Sequence, residues 1–302
     1  MGRFRSSQSQ ARHAIKQRLA LGRPSHGEGR KDGKVHSLGT ARTYKDSLAG
    51  LTTFIAKHRL DPSGHGLSGL TYEVSKTYLN YRSEEVGQKQ LDKDRQAIQM
   101  LLGISLPVFK SEFDQALQCR AYTTKQIHLI SGAQSRKHYL ATLIAADAGL
   151  RAHELLTLLP ASERAPSAHR IWTEERFEGR EDLVFYTVTG KGGLIRVVGL
   201  DIKLAEQLEK LRLSVPRNVT DREIYYVQNY DVGGGKQWSD SFSRAAQREL
   251  GWSAGAHGLR HTYAQKRMRA LQSLGHLYER ALSIVSQEMG HFRPEITEVY
   301  LR

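Results

Sequence analysis

The sequence predicts a mainly α-helical protein that also contains a small antiparallel β-sheet and is divided into two domains. Apolar residues recur at helical spacing from about residue 37 to 105, and again from about residue 240 to the end. Between these regions, two β-rich segments flank a Gly-Lys-Gly-Gly turn, the pattern of a hairpin. A chain of 302 residues is long enough for each of two domains to bury its own core.

Residues 1–34 form a strongly basic segment ahead of these elements. They carry nine Lys or Arg side chains against two acidic ones, a surplus of seven that is half of the net charge of +14. The stretch 22–33 is rich in glycine and has little to bury, so we expect a flexible basic arm with a short helix around 11–21. The arm either follows DNA phosphates or is a solubilising tail, and the sequence leaves both interpretations open.

A helical domain is expected at residues 35–108. Its first helix carries apolar residues at i, i+4, i+7 and i+11. These are Tyr44, Leu48, Leu51 and Ile55. The turn signal at 61–64 ends this helix, Thr71 is placed to cap a second one, and a third is expected over 88–102.

Basic residues lie mainly on the opposite faces of these helices and are the candidate DNA contacts of the domain. They are Arg42, Lys45, Lys76, Lys89, Lys93 and Arg95. A plain helical bundle with solvated charges would show the same pattern, so this domain by itself indicates no function.

Residues 109–122 are expected to be a linker, and a second domain is expected at 123–302. Thr123 is a plausible N-cap for its first helix. The elements expected there are helices around 125–131 and 137–146, hairpin strands at 183–189 and 194–200, and helices from about residue 240 onwards. The apolar run at 224–227 is too short to assign.

The charge of the chain predicts a polyanionic partner. Lys and Arg number 45 against 31 Asp and Glu, and the pI is near 9.8. Nucleic acid is the favoured partner, because each cation that neutralises a phosphate releases condensed counterions. Composition alone does not separate DNA from RNA or from an anionic membrane surface.

Cys119 is the single cysteine, which excludes an intramolecular disulfide and a cysteine-based zinc site. We expect a cytoplasmic protein, since neither a signal sequence nor a run of about 18 apolar residues is present.

Three short segments and one lysine carry residue types suited to chemistry on a phosphate. The segments are Ala148-Gly-Leu-Arg-Ala-His-Glu-Leu-Leu156, His257-Gly-Leu-Arg-His-Thr-Tyr263 and Met289-Gly-His291, and Tyr300 follows the last by nine residues. Lys191 lies at the turn of the expected hairpin. Each segment alone is a weak signal, but their joint occurrence in this order on a basic chain is specific.

Together these segments resemble the signature of the tyrosine recombinases, the phage-integrase family: a Gly-Leu-Arg-x-x-Glu-Leu box, a His-x-Leu-Arg-His box, and Gly-His followed by the nucleophilic tyrosine. The resemblance implies a helical, SAM-like core-binding domain at 35–108 and an α+β catalytic domain at 123–302, preceded by the basic arm. The catalytic set that it implies is Arg151, Lys191, His257, Arg260, His291 and Tyr300. It also implies double-stranded DNA recombination sites as partners, a homotetramer on two sites, and accessory DNA-bending proteins as optional partners.

The residue types match what the attack of a phenol on a phosphodiester needs. Two guanidinium groups, Arg151 and Arg260, are able to fork onto the non-bridging oxygens where charge develops. A phenol has an ordinary pKa of about 10, so Tyr300 needs a base, and the resemblance assigns that role to His257.

The resemblance assigns protonation of the leaving 5′ oxygen to Lys191 and a hydrogen bond to the phosphate to His291. The implied product is a 3′-phosphotyrosyl bond, which keeps the energy of the phosphoester for religation. We therefore expect neither a cofactor nor a metal, and the sequence contains no Gly-x-x-x-x-Gly-Lys-[Ser/Thr] loop and no clustered carboxylates for Mg²⁺. The biological outcome would be integration, excision, inversion or resolution of a mobile element or replicon.

Two other functions use part of the same pattern. A type IB topoisomerase-like enzyme shares the catalytic set, but the helical domain and the short length favour a site-specific recombinase. A catalytically inactive DNA-binding regulator of recombination shares the fold, but all six positions carry the expected residue types.

Neighbouring residues have simpler interpretations. Glu154 is expected to orient Arg151, and His261 is expected to pack within its helix. Zinc is disfavoured because arginines stand beside the histidines.

Many relatives carry a tail after the tyrosine that docks on a neighbouring protomer, whereas two residues follow Tyr300 here. We therefore expect Tyr300 to act in cis from a short helix at 295–300.

Overall fold

The computed structural model describes residues 6–21, 33–61, 64–112 and 119–301. The chain divides into two compact units, Met1–Ala116 and Leu117–Arg302, and the boundary falls within the segment expected to be a linker. Helices dominate both units, and small antiparallel sheets occur in the second, so the predicted fold class is confirmed. Among the described residues, no helix is both long and apolar enough to cross a membrane.

The described part of the first unit is a bundle of helices. They are α1 (Ser7–Lys16), α2 (Leu38–Lys57), α3 (Tyr72–Glu85) and α4 (Gln88–Leu102), with a short 3-10 helix at Gly66–Gly69. The Thr71 hydroxyl accepts from the Val74 amide at 3.2 Å and caps α3, as expected. Gly103 ends α4 in the left-handed conformation, with φ of 71°. The core includes the predicted stripe residues Leu48, Leu51 and Ile55 of α2, together with Leu79, Leu91 and Ile98 of α3 and α4.

Helix α1 differs from the flexible arm expected for residues 1–34. It begins four residues earlier than the expected helix, where the Ser6 side chain accepts from the Ser9 amide at 3.3 Å. Its Ala11, Ala14 and Ile15 are buried in the core that α2 to α4 also form. These three residues occupy one helical face, and burying that face outweighs the repulsion among the exposed cations. The glycine-rich part of the expected arm, residues 22–32, lies outside the described residues.

The second unit is an α+β domain. Its helices, within residues 119–301, are α5 (Thr124–Gly132), α6 (Arg136–Ala148), α7 (Ile202–Glu209), α8 (Gly235–Leu250), α9 (Gly258–Ser273), α10 (Tyr278–Glu288) and α11 (Pro294–Glu298). Its strands are β1 (Leu159–Pro160), β2 (Leu183–Thr189), β3 (Ile195–Asp201), β4 (Arg212–Asp221) and β5 (Ile224–Tyr230). Thr123 and Gln126 form a capping box that starts α5, in agreement with the sequence.

The central sheet has the order β1-β2-β3, with antiparallel neighbours. The predicted hairpin is β2 and β3, which pair from Leu183 opposite Asp201 to Thr189 opposite Ile195. Lys191 starts the 3-10 turn Lys191–Gly193 that joins them. On β3, alternate residues Arg196, Val198 and Leu200 are all buried. An arginine therefore occupies a position that the alternation reserves for apolar residues.

Two clusters of buried side chains build this unit. The larger one joins α6, the sheet and α8 through residues such as Ile144, Val188, Val198 and Trp238. The smaller one joins α9, α10 and the C-terminal segment, and it includes Tyr300. Each element beside the candidate site is therefore held by a packed core.

The sequence analysis did not predict the two-residue strand β1, the ribbon of β4 and β5, or helix α7. The ribbon of β4 and β5 is exposed along most of β4, so its sequence lacks the alternation that marks a half-buried strand, and it contains Pro216. Helix α7 is short and buries Ala205 and Leu208, too few residues for a periodic signal.

Candidate active site

The position of Arg151 is set by the end of α6. Gly149 ends that helix with φ of +60°, and a Cβ there would lie 2.6 Å from Cδ1 of Tyr263. After this turn, the amide of Arg151 donates to Oε2 of Glu154 at 2.8 Å, and its Nη1 donates to Oε1 at 2.7 Å. Glu154 therefore orients Arg151, as expected from the sequence.

Glu154 is the centre of a buried cluster of charges. It is fully buried, and Arg196 donates to its Oε2 from Nη2 at 2.8 Å. Arg260 Nη1 lies 4.0 Å from the same oxygen. Burial opposes ionisation, but the charges of Arg196, Arg151 and Arg260 hold the pKa of Glu154 well below its usual range. Three guanidinium groups facing one carboxylate leave a surplus of positive charge, which suits an anionic ligand.

Arg260 lies in the first turn of α9 and is fully buried. It donates to the carbonyl oxygens of Gly149 and Met289, the second at 3.2 Å. Burial, followed by the charge of Arg151, lowers the pKa of Arg260 to about 10, so it is charged at neutral pH. One side chain thus joins the end of α6 to the segment after α10.

The contacts of His291 assign its tautomer. Arg260 Nη2 lies 3.0 Å from His291 Nε2, and a guanidinium only donates, so Nε2 accepts. The proton is then on Nδ1, which donates to the hydroxyl of Thr297 at 3.0 Å. Burial, followed by the charge of Arg260, lowers the pKa of His291 to about 2, so the ring is neutral.

Tyr300 follows α11 and lies among histidine rings. Its hydroxyl is 3.1 Å from Nε2 of His257, and 8% of the residue is exposed. The ring centroids of His261 and His291 lie 4.8 and 5.3 Å from that of Tyr300. Arg260 Cζ is 5.4 Å from the same centroid. The expected short helix at 295–300 is α11, which ends two residues before Tyr300.

His257 precedes α9 at the rim of the site, where the residue is exposed but its Nε2 faces Tyr300. Desolvation of the ring, followed by the charge of Arg260, lowers the pKa of His257 to about 3. A neutral imidazole has one nitrogen that accepts a proton, as a base for the phenol requires. His261 lies on α9 and is 5% exposed. Its ring packs against that of Tyr300, which lies outside that helix, and not only within the helix as the sequence analysis expected.

Five of the six residues that the sequence singled out are brought together here: Arg151, His257, Arg260, His291 and Tyr300. The sixth, Lys191, has a described backbone, but its side chain lies outside what the structure describes. Gly190 beside it is close to the cluster, since a Cβ there would lie 3.2 Å from Oε1 of Glu154.

The sequence analysis missed Arg196 and Thr297. Arg196 was detectable, because it takes an inward position in the alternation of β3. Thr297 carried no signal, since its contact with His291 depends on how α11 packs. Within the described residues, no group of three or more His, Cys, Asp or Glu side chains is arranged to hold a metal ion.

The six candidate DNA contacts of the first unit lie on α2, α3 and α4. Arg42 and Lys89 are exposed, and Lys93 is half-buried. Lys45 lies 3.5 Å from Asp46, and Lys76 lies 5.9 Å from the ring centroid of Tyr72.

Arg95 differs from the other five. Its Nη1 donates to Oε1 of Gln99 at 2.9 Å and to the carbonyl oxygen of Leu106 at 3.2 Å. Its Nη2 also lies 3.6 Å from Asp92. Arg95 is thus engaged in holding the segment after α4, and a phosphate would have to displace these bonds.

No family model and no curated protein matches the sequence. Solved structures do match. A post-cleavage complex of XerH site-specific recombinase with palindromic difH substrate aligns with a TM-score of 0.56 at 14% identity, covering 98% of this chain and 90% of that chain.

Two further structures extend this similarity. The Tn1549 transposon integrase with transposon right end DNA aligns with a TM-score of 0.54 at 13% identity, covering 97% of this chain and 94% of that one. A lambda integrase dimer bound to a core site aligns with a TM-score of 0.53 at 15% identity, covering 88% and 89%. All three are tyrosine recombinases, so the fold that the resemblance implied is confirmed.

Proposed function

We propose that this chain, which has the fold of the tyrosine recombinases, is a site-specific DNA recombinase that cuts and rejoins DNA through Tyr300. The observation that carries this proposal is the hydroxyl of Tyr300 3.1 Å from a neutral His257, beside a buried cluster with surplus positive charge. The Tyr300 hydroxyl faces His257 of its own chain, which supports action of Tyr300 in cis.

The first step is attack of the phenol on the scissile phosphate. The Tyr300 oxygen bonds to phosphorus while its proton passes to Nε2 of His257, and the bond from phosphorus to the 5′ oxygen breaks. The lowered pKa of His257 applies before DNA binds. A bound phosphate anion would raise that pKa, because it offsets the charge of Arg260 that helps to lower it.

Charge on the five-coordinate phosphorus is stabilised by Arg151 and Arg260. Both are held before DNA arrives, Arg151 by Glu154 and Arg260 by two carbonyl oxygens, so little reorganisation is needed during the reaction. His291 Nε2 now accepts from Arg260, and a phosphate oxygen that takes the Arg260 donor would free this ring to rearrange toward the phosphate.

The leaving 5′ oxygen takes a proton from Lys191, the role that the family resemblance gives to this lysine. The product is a 3′-phosphotyrosyl bond and a free 5′ hydroxyl. Rejoining reverses each step: the 5′ hydroxyl attacks, Lys191 recovers its proton, and His257 returns one to Tyr300. The exchange of one phosphoester for another needs no cofactor.

The partners that we propose are double-stranded recombination sites in the cytoplasm, with four protomers on two sites. The net charge of +14 supports DNA as the partner. Arg42, Lys45, Lys76, Lys89 and Lys93 remain candidate contacts of the first unit. Arg95 is a weaker candidate because its guanidinium stabilises the fold.

A covalent trap tests the proposal. Binding sites would be selected from a randomised duplex pool. A nick would be placed beside the scissile phosphate, so that the short fragment that carries the new 5′ hydroxyl diffuses away after cleavage. The wild-type protein should then accumulate as a DNA-linked species on a denaturing gel, with Tyr300 as the linked residue. Tyr300→Phe should give no such species but should bind DNA within a few-fold, since one hydroxyl is lost.

The other outcomes separate the competing functions. Binding without any covalent species would identify a DNA-binding regulator. Relaxation of supercoiled plasmid without a selected site would indicate a topoisomerase-like enzyme. A covalent species formed by Tyr300→Phe would contradict the assignment of the nucleophile.

A further inference from the structure

Arg196 is a buried cation that the sequence motifs do not include. Its residue is 1% exposed, and it shares the inward face of β3 with Val198 and Leu200. Its Nη2 donates to Oε2 of Glu154 at 2.8 Å, and its Nη1 donates to the carbonyl oxygen of Glu288 at the end of α10. Burying a guanidinium on an apolar face has a desolvation cost. The burial of Arg196 against two specific acceptors therefore needs an explanation.

The first acceptor, Glu154, is the carboxylate that orients Arg151. Its Oε1 takes Nη1 of Arg151, while its Oε2 takes the amide of Arg151 and Nη2 of Arg196. Without Arg196, this buried oxygen would lose a charged donor, and Arg260 Nη1, now 4.0 Å away, would be drawn toward it. Arg196 therefore allows Glu154 to hold Arg151 without drawing Arg260 from its carbonyl partners.

The second acceptor leads to His291. Glu288 ends α10, and Met289 and Gly290 connect it to His291. Gly290 has φ of +73°, and a Cβ there would lie 2.8 Å from Cδ of Arg196, so the arginine stem packs against this turn. The same side chain therefore supports the segment that carries His291.

We propose that Arg196 is a positioning residue that holds Arg151, through Glu154, and His291, through the turn after α10, in one arrangement around the phosphate. It does not contact the phosphate itself. This inference rests on the proposed recombinase function.

The test uses Arg196→Lys and Arg196→Met in the full chain. Arg267→Lys is the matched control for the lysine variant, because Arg267 is also a buried arginine whose guanidinium binds at the end of α10. It lies on α9 and donates to the carboxylate of Glu288 from Nε and Nη2, both at 2.9 Å. Circular dichroism and thermal melting would establish that each variant is folded. Cleavage would be measured on nicked DNA with an ordinary phosphodiester and with a methylphosphonate, which lacks one charged oxygen at the scissile position.

We expect Arg196→Met to slow cleavage of the phosphodiester by about 10²-fold, the scale of losing one transition-state donor. The loss should be at least several-fold smaller on the methylphosphonate, where less charge has to be stabilised. Arg196→Lys should lie between wild type and Arg196→Met, since lysine cannot fork to two acceptors. Arg267→Lys should keep the wild-type ratio of the two rates. Added to Arg151→Ala, Arg196→Met should cost only a few-fold more, because both act through one interaction.

Equal losses on both substrates, or a full additional loss in the Arg151→Ala background, would show that Arg196 has a general structural role and overturn the inference. A wild-type protein that forms no Tyr300-linked DNA would instead contradict the recombinase function.

Discussion

At the residue scale, the site is a set of cations held apart by one carboxylate and several carbonyl oxygens. Glu154 pairs with Arg151 and Arg196, and Arg260 is fixed by backbone acceptors. This arrangement prevents the arginines from collapsing onto a single partner and leaves their net charge for a ligand. Removing one of them should therefore affect catalysis more than folding when its carboxylate keeps a second partner, as Glu154 does.

Arg151→Ala should slow covalent complex formation by about 10²-fold or more, the scale of losing one preorganised donor. Arg151→Lys should recover little, because an ammonium cannot form the forked pair with phosphate oxygens. The measurement is the single-turnover rate on nicked DNA at saturating protein. Arg280→Ala, which removes an exposed arginine paired with Glu175, is the control and should match wild type. A nearly wild-type rate for Arg151→Ala would remove this residue from the catalytic set.

Buried neutral histidines should make the second unit sensitive to acid. The pKa of His261 is lowered from 6.5 to about 4, first by burial and then by Arg120, and that of His291 is lowered to about 2. Above pH 6.5, neither the folded nor the unfolded state binds these protons. Below it, the unfolded state takes up protons that the folded state does not, so the free energy of unfolding falls as pH drops from about 6.5 toward 4.

Thermal melting of the second unit between pH 7.5 and 4.5 measures this loss. His261→Gln should show a shallower fall in melting temperature, because glutamine does not titrate. His128→Gln, at an exposed histidine of the same unit, should keep the wild-type slope. If the His261→Gln slope equals that of wild type, burial of His261 does not contribute to the acid sensitivity.

At the element scale, the ends of helices position the residues of the candidate site. Gly149 ends α6 with a left-handed turn against the ring of Tyr263, and Arg151 follows two residues later. His257 and Arg260 lie at the start of α9, and His291 follows the end of α10. Because each of these positions depends on a backbone turn, a change in the turn should displace a side chain whose own identity is unchanged.

Gly149→Ala tests this dependence. The left-handed conformation costs an alanine about 1 kcal/mol, and the close contact with Tyr263 adds steric strain that moves the turn before Arg151. We expect both lower stability and slower cleavage. Gly251→Ala is the matched control, because Gly251 ends α8 with φ of +76° but faces open space. It should lose about 1 kcal/mol of stability and keep its cleavage rate, whereas equal effects of the two substitutions would argue against the positioning role of the α6 turn.

At the scale of the whole molecule, half of the net positive charge of the chain lies in residues 1–34. Part of that segment is folded, because α1 contributes Ala11, Ala14 and Ile15 to the core of the first unit. Deleting residues 1–34 would therefore expose a core as well as remove cations. Neutralising exposed side chains of α1 separates the two effects.

Arg12→Gln combined with Lys16→Gln should weaken DNA binding and reduce the slope of log K against log salt by up to about 2, since each phosphate contact contributes about 0.9. Fluorescence anisotropy on a labelled duplex at several salt concentrations provides the slope. Lys203→Gln on α7, combined with Lys210→Gln directly after that helix, also lowers the net charge from +14 to +12 and controls for charge alone. If both double variants have the same slope of log K against log salt, the N-terminal segment is a tail without a role in DNA binding.

The sequence by itself determined the fold class, the helix caps at Thr71 and Thr123, and the hairpin around Lys191. It also singled out five residues that the structure brings together, which are Arg151, His257, Arg260, His291 and Tyr300. These features depend on short-range rules, in which periodicity, turn residues and compact motifs need no knowledge of distant partners. The tertiary structure alone decided that α1 joins a core, that β4 and β5 pair, and that Arg196 links Glu154 to Glu288. Arg196 is 42 residues from Glu154 and 92 from Glu288 along the chain, and a buried ion pair of this kind is specified by packing between elements and not by local sequence.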